Sequence, residues 1–145
     1  MKAVWLLIPI VTGLAVPALV VMNLRMAART GAMEAAVVLH AVGTLAGLLV
    51  IGAGMRGPGF GALAGVPGWA FFGGVIGVAA MALMNRAIPQ IGVANAITLS
   101  VAAQLVASVL CEHFGWLGTE RSPAGMTRWI GVALLVVGAA LVQRR

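Results

Sequence analysis

The sequence predicts an all-α membrane protein, and three observations carry that reading. First, 62% of the residues are hydrophobic and only 8% charged, with a mean hydropathy of +1.11; soluble domains hold about 45–50% apolar and roughly 25% charged residues. Second, the apolar residues fall into five segments, 4–24, 32–54, 67–87, 92–111 and 126–143, separated by short polar breaks within a single domain. Third, most of these segments reach the ~20 residues that a helix rising about 1.5 Å per residue needs to cross a hydrocarbon core of roughly 30 Å. The net charge of +6 comes from basic residues scattered singly or in pairs. Such residues act as topological anchors rather than as a nucleic-acid surface. The single cysteine, Cys111, excludes an internal disulfide, and no His/Cys/Asp/Glu cluster has metal-ligand spacing. No cofactor, metal or enzymatic chemistry is expected.

The first segment follows Lys2, and a lysine before an apolar run can imitate a secretory signal. This run is longer than a signal core and four more follow it, so it reads as a helix. Pro9, Gly13 and Pro17 stand four residues apart. Proline removes a backbone donor, so a kink or a close helix contact is expected there. Asn23, Arg25 and Arg29 close the segment. The second segment carries Glu34 in its first turn, where a carboxylate complements the helix dipole, and His40 deeper inside. An imidazole at that depth is either held by an interhelical hydrogen bond or functional. Gly43 and Gly47 form a small-xxx-small pair.

Residues 55–66, MRGPGFGALAGV, are too short and too rich in Gly and Pro for a span and predict a flexible connection. The third segment begins with Pro67 and Trp69, an indole suited to the headgroup boundary, and presents Gly73, Gly74 and Gly77 as a thin face. Asn85, Arg86 and Pro89 are expected to end it, with a tight hairpin into the fourth segment.

The fourth segment is where the chain departs from plain hydrophobicity. Ser100, Gln104, Ser108 and Glu112 recur every fourth residue, and Asn95 lies a little earlier. Residues at that spacing share one helix face. A polar stripe against lipid leaves hydrogen-bonding groups unpaired at several kcal/mol each, so it should face protein or a water-filled cavity. Glu112 falls near a helix C-terminus, where the dipole disfavours it. Arg121 and Arg128 are the basic residues within reach, beside His113 and Glu120. The fifth segment is short for a span unless it starts as early as Ala124.

Five spans put the termini on opposite sides. One side then receives Lys2, Arg56, Arg121 and Arg128, and the other Arg25, Arg29, Arg86, Arg144 and Arg145. Orientation follows an excess of basic residues on one side, and this sequence has almost none. Insertion in both orientations is the expectation, with an antiparallel homodimer whose ten helices make two inverted units around a midplane site.

Taken with the motifs, the chain resembles the YdcZ-type branch of the drug/metabolite transporter superfamily, small five-helix proteins of the bacterial inner membrane. The resemblance spans nearly the whole length. It rests on Gly13, Pro17 and Asn23-Leu24, on Gly43-Thr44, on Pro67, Trp69 and Gly73-Gly74-Val75-Ile76-Gly77, and on Pro89 and Gly92. It continues with Gln104, His113-Phe114-Gly115, Gly118, Arg128, Gly131 and Gly138. The sequence departs from that pattern at Ala103, where the family has glycine, at Glu112, where it has aspartate, and in the first segment, where its glutamine has no evident counterpart. Gly131-Val-Ala-Leu134-Leu135-Val-Val-Gly138 is similar to the glycine-flanked pattern by which small multidrug resistance proteins join two antiparallel subunits. Those relatives carry a membrane-embedded glutamate in the first helix, and this first segment has no ionisable residue. Proton-coupled drug export of that kind is therefore disfavoured.

The resemblance implies a transporter that moves a small solute by alternating access. Gln104, Ser100, Ser108, Asn95, Asn23, His40 and Trp69 would line the solute path. Glu112 and His113 would serve in coupling or ion pairing, with His40 as the other titratable candidate. Gly131, Leu134, Leu135 and Gly138 would form the dimer interface. So few embedded charges suit a neutral or amphipathic solute. A passive channel and a non-transporting accessory protein are the rival readings.

Overall fold

The computed structural model describes residues 2–55 and 57–143, with side chains from Trp5 onward. Helices and turns account for all the regular structure among the described residues. The helices are α1 (Lys2–Thr30), α2 (Ala32–Gly52), α3 (Phe72–Ile91), α4 (Val93–Phe114) and α5 (Met126–Val142). The chain divides into two compact units, Met1–Gln90 and Ile91–Arg145.

In the first unit, α1 and α2 pack against each other. They are joined through Gly31, whose φ of +110° lies where an L side chain is strained. Small side chains make the contact close: Ala35 and Ala36 are completely buried, with Val20 of α1 also buried. α1 is longer than expected, running on through Arg25 and Arg29 instead of stopping at Leu24. Exposed arginines do not break a helix, and Ala27 and Ala28 favour one; only Gly31 supplies the break. Pro9 and Pro17 lie inside this one continuous helix, so the irregularity expected there does not divide it. The Thr12 hydroxyl donates to the carbonyls of Ile8 (3.1 Å) and Pro9 (3.0 Å).

The connection after α2 is more ordered than a flexible linker, since Phe60–Gly65 and Gly68–Phe71 are 3-10 helices leading into α3. Trp69 is therefore on a 3-10 turn before the α-helix, and it is exposed. Pro89 does not end α3, which continues to Ile91. A proline in the last turn forfeits one bond, to the carbonyl four residues earlier, and the helix closes two residues later.

The second unit pairs α4 with α5. Gly92 (φ +83°) is the single residue between α3 and α4. The Asn95 amide donates to the Ile91 carbonyl at 2.9 Å, so its donor is used in the local turn. α4 continues to Phe114, three residues beyond its expected end.

Among the described residues four segments are long and apolar enough to cross a membrane: Trp5–Thr30, Ala32–Gly52, Gly68–Ile91 and Val93–Phe114. The fifth, Met126–Val142, is a shorter apolar helix. α5 begins at Met126, with 17 residues and Gly125 at its cap, so the extension from Ala124 is not made.

Candidate functional site

The first unit is tied together by an amide clasp near the ends of α1 and α3 and the start of α2. The Asn85 side-chain N–H donates to the Ala32 carbonyl at 3.1 Å, and the Asn23 side-chain N–H donates to Asn85 Oδ1 at 2.9 Å. The geometry fixes both amide orientations: a carbonyl can only accept, so Asn85 Nδ2 faces Ala32, its oxygen faces Asn23, and Asn23 must present its nitrogen. Asn23 is 1% exposed and Asn85 5%. Asn23 Oδ1 is left buried with no donor. The clasp brings the neighbourhoods of Arg25, Arg29 and Arg86 to one end of this unit. Lys2, Arg56, Arg144 and Arg145, which the charge tally also uses, lie outside the described side chains.

His40 stands eight residues beyond Ala32 on α2, about 12 Å farther along the helix axis at 1.5 Å per residue. Its Nδ1 is 2.7 Å from the Ala36 carbonyl. Across from it is Gly77 of α3, where an added Cβ would be 3.1 Å from His40 Nε2. The bare glycine makes room for the ring. Gly43, Gly47, Gly73 and Gly74 have open space where a side chain would project, so they do not form close contacts within the chain.

In the second unit, the end of α4 is stitched to the loop before α5. Gly115, in the left-handed region at φ +71°, caps the helix through its N–H to the Cys111 carbonyl. The Thr119 hydroxyl donates to that same carbonyl at 3.0 Å, and the Ser122 N–H donates to the Glu112 carbonyl at 2.8 Å. The Ala124 N–H donates to His113 Nδ1 at 3.0 Å, and the imidazole lies edge-on to Phe114 and Trp129. Glu112 is paired with Arg128 at 2.5 Å, each side chain about 40% exposed. The partner that Glu112 needs against the helix dipole is thus Arg128. His113 is an acceptor for the loop and takes no part in an ion pair. Its replacement by phenylalanine should leave the Ala124 N–H without a partner and raise that amide's exchange rate at least roughly tenfold, read by hydrogen–deuterium exchange in detergent.

The polar stripe lies along α4, and two of its members are bonded to each other. Gln104 Nε2 donates to Ser100 Oγ at 2.8 Å, and Gln104 and Ser108 are exposed. The same helix buries Ala96, Ala102 and Val109; at about 100° per residue Ala102 and Val109 lie roughly 140–160° around the axis from Gln104, and Ala96 about 80° from it. Gln104 and Ser108 thus lie on an uncovered part of α4 that also exposes Leu99, Val101 and Leu105. Elsewhere on this helix pair, Gly131, Leu134, Leu135 and Gly138 of α5 line a single open groove of about 610 Å³ with Ile97, Thr98 and Val101 of α4.

The sequence-predicted residues thus fall into separate places: Asn23 in the clasp, His40 against Gly77, Trp69 on an exposed turn, and Asn95 in the first turn of α4, the helix that carries the stripe. Sequence reasoning missed Asn85 as the clasp's centre and Ala124 as the partner of His113. The available signal for the first was that each asparagine immediately precedes a basic end, Asn23-Leu24-Arg25 and Asn85-Arg86. Among the described residues no His/Cys/Asp/Glu group has metal-binding spacing.

The family described as "Putative inner membrane exporter, YdcZ" matches residues 4–141 of the chain. No curated protein and no solved structure matches it. That description names an exporter rather than an enzyme, and with the apolar helices it assigns the chain to the multi-pass proteins of the inner membrane. With all but a few terminal residues inside the match, the chain belongs to the YdcZ family.

Proposed function

We propose that the chain is one half of an exporter in which two copies, inserted in opposite orientations, carry a small neutral or amphipathic solute by alternating access through a cavity lined by both α4 stripes. One observation carries the reading: Gln104 and Ser100 are bonded to each other on a membrane-length helix, and the Gln104 side chain is exposed. Polar groups on such a helix are stable only against protein or water. A second copy supplies that surface, and the cavity between the copies supplies the path. The glycine-lined groove of α4 and α5 supports the same assembly, because small residues let helices cross closely in lipid. Five crossings per copy require α5 to traverse a locally thinned bilayer. Within this arrangement Glu112 and Arg128 neutralise each other at the end of the path, and the solute contacts fall to Gln104, Ser100 and Ser108. A passive channel built from the same helices would show flux that saturates only at far higher solute concentration and ignores any imposed ion gradient.

The test uses proteoliposomes loaded with a mixture of small bacterial metabolites. Solutes released faster than from protein-free vesicles are identified by mass spectrometry. At least one neutral or amphipathic solute should be released, and Gln104→Leu should slow its release at least about tenfold, the loss expected for one hydrogen bond made to a transported polar group. Unchanged release by a Gln104→Leu protein that keeps its oligomeric state would make the stripe a packing feature and defeat the reading.

A further inference from the structure

We propose that the end of α1 binds the phosphate of an anionic phospholipid, with Arg25 and Arg29 on the headgroup and the outer face of the same helix along an acyl chain. The protein belongs to the multi-pass proteins of the inner membrane, and α1 is one of its membrane-length helices, with both arginines near the end. That places them at the depth of lipid headgroups. Four residues apart, they share one face and are separated by about 6 Å along the axis. Together with Met26, Ala28 and Thr30 they line an open depression of about 700 Å³, within the roughly 300–1,000 Å³ of small-ligand sites. The packed side of the helix is elsewhere. Val20 and Asn23, both buried, lie roughly 140–160° around the axis from Arg25.

Charge selects the head of the ligand. Both arginines are exposed, and among the described residues the only ion pair joins Glu112 to Arg128, so no carboxylate neutralises either guanidinium. Glu34 is the only acid in the first unit. Its carboxylate lies over Gly31, where an added side chain would meet it, and it does not line the depression. Arg86 adds a third cation without an ion-pair partner at the same end, since the neighbouring Asn85 is bonded to Asn23, two residues before Arg25. The Thr30 hydroxyl is committed to the Met26 carbonyl at 3.1 Å, which leaves the guanidinium groups as the side-chain donors of the depression. Each offers a planar fork of N–H groups that matches two phosphate oxygens. Apolarity selects the tail. Toward the middle of the span, Leu14, Ala18, Val21 and Met22 fall within about 60° of Arg25 around the axis, and all are exposed. An uncovered apolar strip that runs away from two unneutralised cations fits a molecule with an anionic head and an apolar chain, and the anionic phospholipids of the membrane have that form. A soluble phosphate would fill only the head of the site.

The full-length protein, purified and delipidated in a non-ionic detergent, is titrated with phosphatidylglycerol or phosphatidylcholine of the same acyl chains, and native mass spectrometry counts the lipid retained. Phosphatidylglycerol should bind roughly tenfold more tightly, and in the double variant Arg25→Gln with Arg29→Gln the ratio should fall to about twofold or less. Arg121→Gln, an exposed arginine of the second unit, should leave the ratio unchanged. Equal binding of the two lipids by the unmodified protein overturns the proposal, as does a ratio untouched by the double variant. A loss in Arg121→Gln as large as in the double variant also overturns it, because affinity would then follow net charge and not this site. Excess inorganic phosphate should leave the lipid bound; its displacement by phosphate would make the site one for a soluble anion and overturn the lipid assignment. Phosphatidylglycerol with a photoreactive acyl chain locates the site on the unmodified protein, whether or not the double variant folds. Crosslinks should fall on the α1 stretch that holds Ala18 and Met22, and crosslinks confined to other helices overturn the proposal.

Discussion

Replacing Asn85 with leucine should destabilise the first three helices by about 2 kcal/mol, a roughly 30-fold shift toward the unfolded state. The loss does not come from the Ala32 carbonyl, which still accepts the helical N–H four residues on. It comes from Asn23, whose amide is 1% exposed and whose oxygen already has no donor. Removing Asn85 leaves that whole side chain unpaired in an apolar setting. The same argument makes the double replacement Asn23→Leu with Asn85→Leu less harmful than Asn85→Leu alone, because removing both partners leaves nothing unsatisfied. Denaturant titration in mild detergent, followed by tryptophan fluorescence, checks both statements. Additive losses in the double variant would mean that the two amides act independently.

In the proposed antiparallel dimer, Gly138→Leu is expected to separate the two copies. A Cβ at Gly138 would meet nothing within 4 Å in its own chain, so the position opens onto free space. A leucine there would fill the groove formed with Ile97, Val101, Leu134 and Leu135, and a partner helix could no longer approach closely. Dimer association should weaken at least about tenfold, measured as energy transfer between labelled copies diluted in liposomes. Undiminished energy transfer would show that the groove is filled by lipid and that the copies meet elsewhere. Whole-cell cysteine labelling at the chain ends provides the matching test of dual insertion, since strict one-sided labelling is incompatible with it.

Much of the helical framework was legible because length and apolarity are sufficient to specify it. The runs around Leu14, Leu45, Val78 and Val106 can form little else in a bilayer. Their ends were less legible, for identifiable reasons. Arg25 and Arg29 look like a loop in composition yet are compatible with helix, and Pro89 reads as a terminator although a last-turn proline loses only one bond. The site was legible only in part. The spacing of Ser100 and Gln104 on one face follows from the helical period. The pairing of Asn23 with Asn85, 62 positions apart, and of His113 with Ala124 depends on how segments meet, which no local pattern encodes. The choice of Arg128 over Arg121 as the partner of Glu112 also depended on the path of the loop between α4 and α5.

That loop delivers Arg128 into the first turn of a helix of 17 residues, about 25 Å long, which in the proposed five-span arrangement meets an apolar core roughly 30 Å thick. Mismatch of that size is relieved by drawing the bilayer thin around the short helix, at fractions of a kcal/mol per ångström. Because Arg128 is bonded to Glu112, α5 cannot sink to relieve the strain without pulling the end of α4 along with it. Acyl-chain length thereby becomes a variable of this protein: shorter-chain lipids should favour full insertion of α5, and longer-chain lipids should hold it toward the surface.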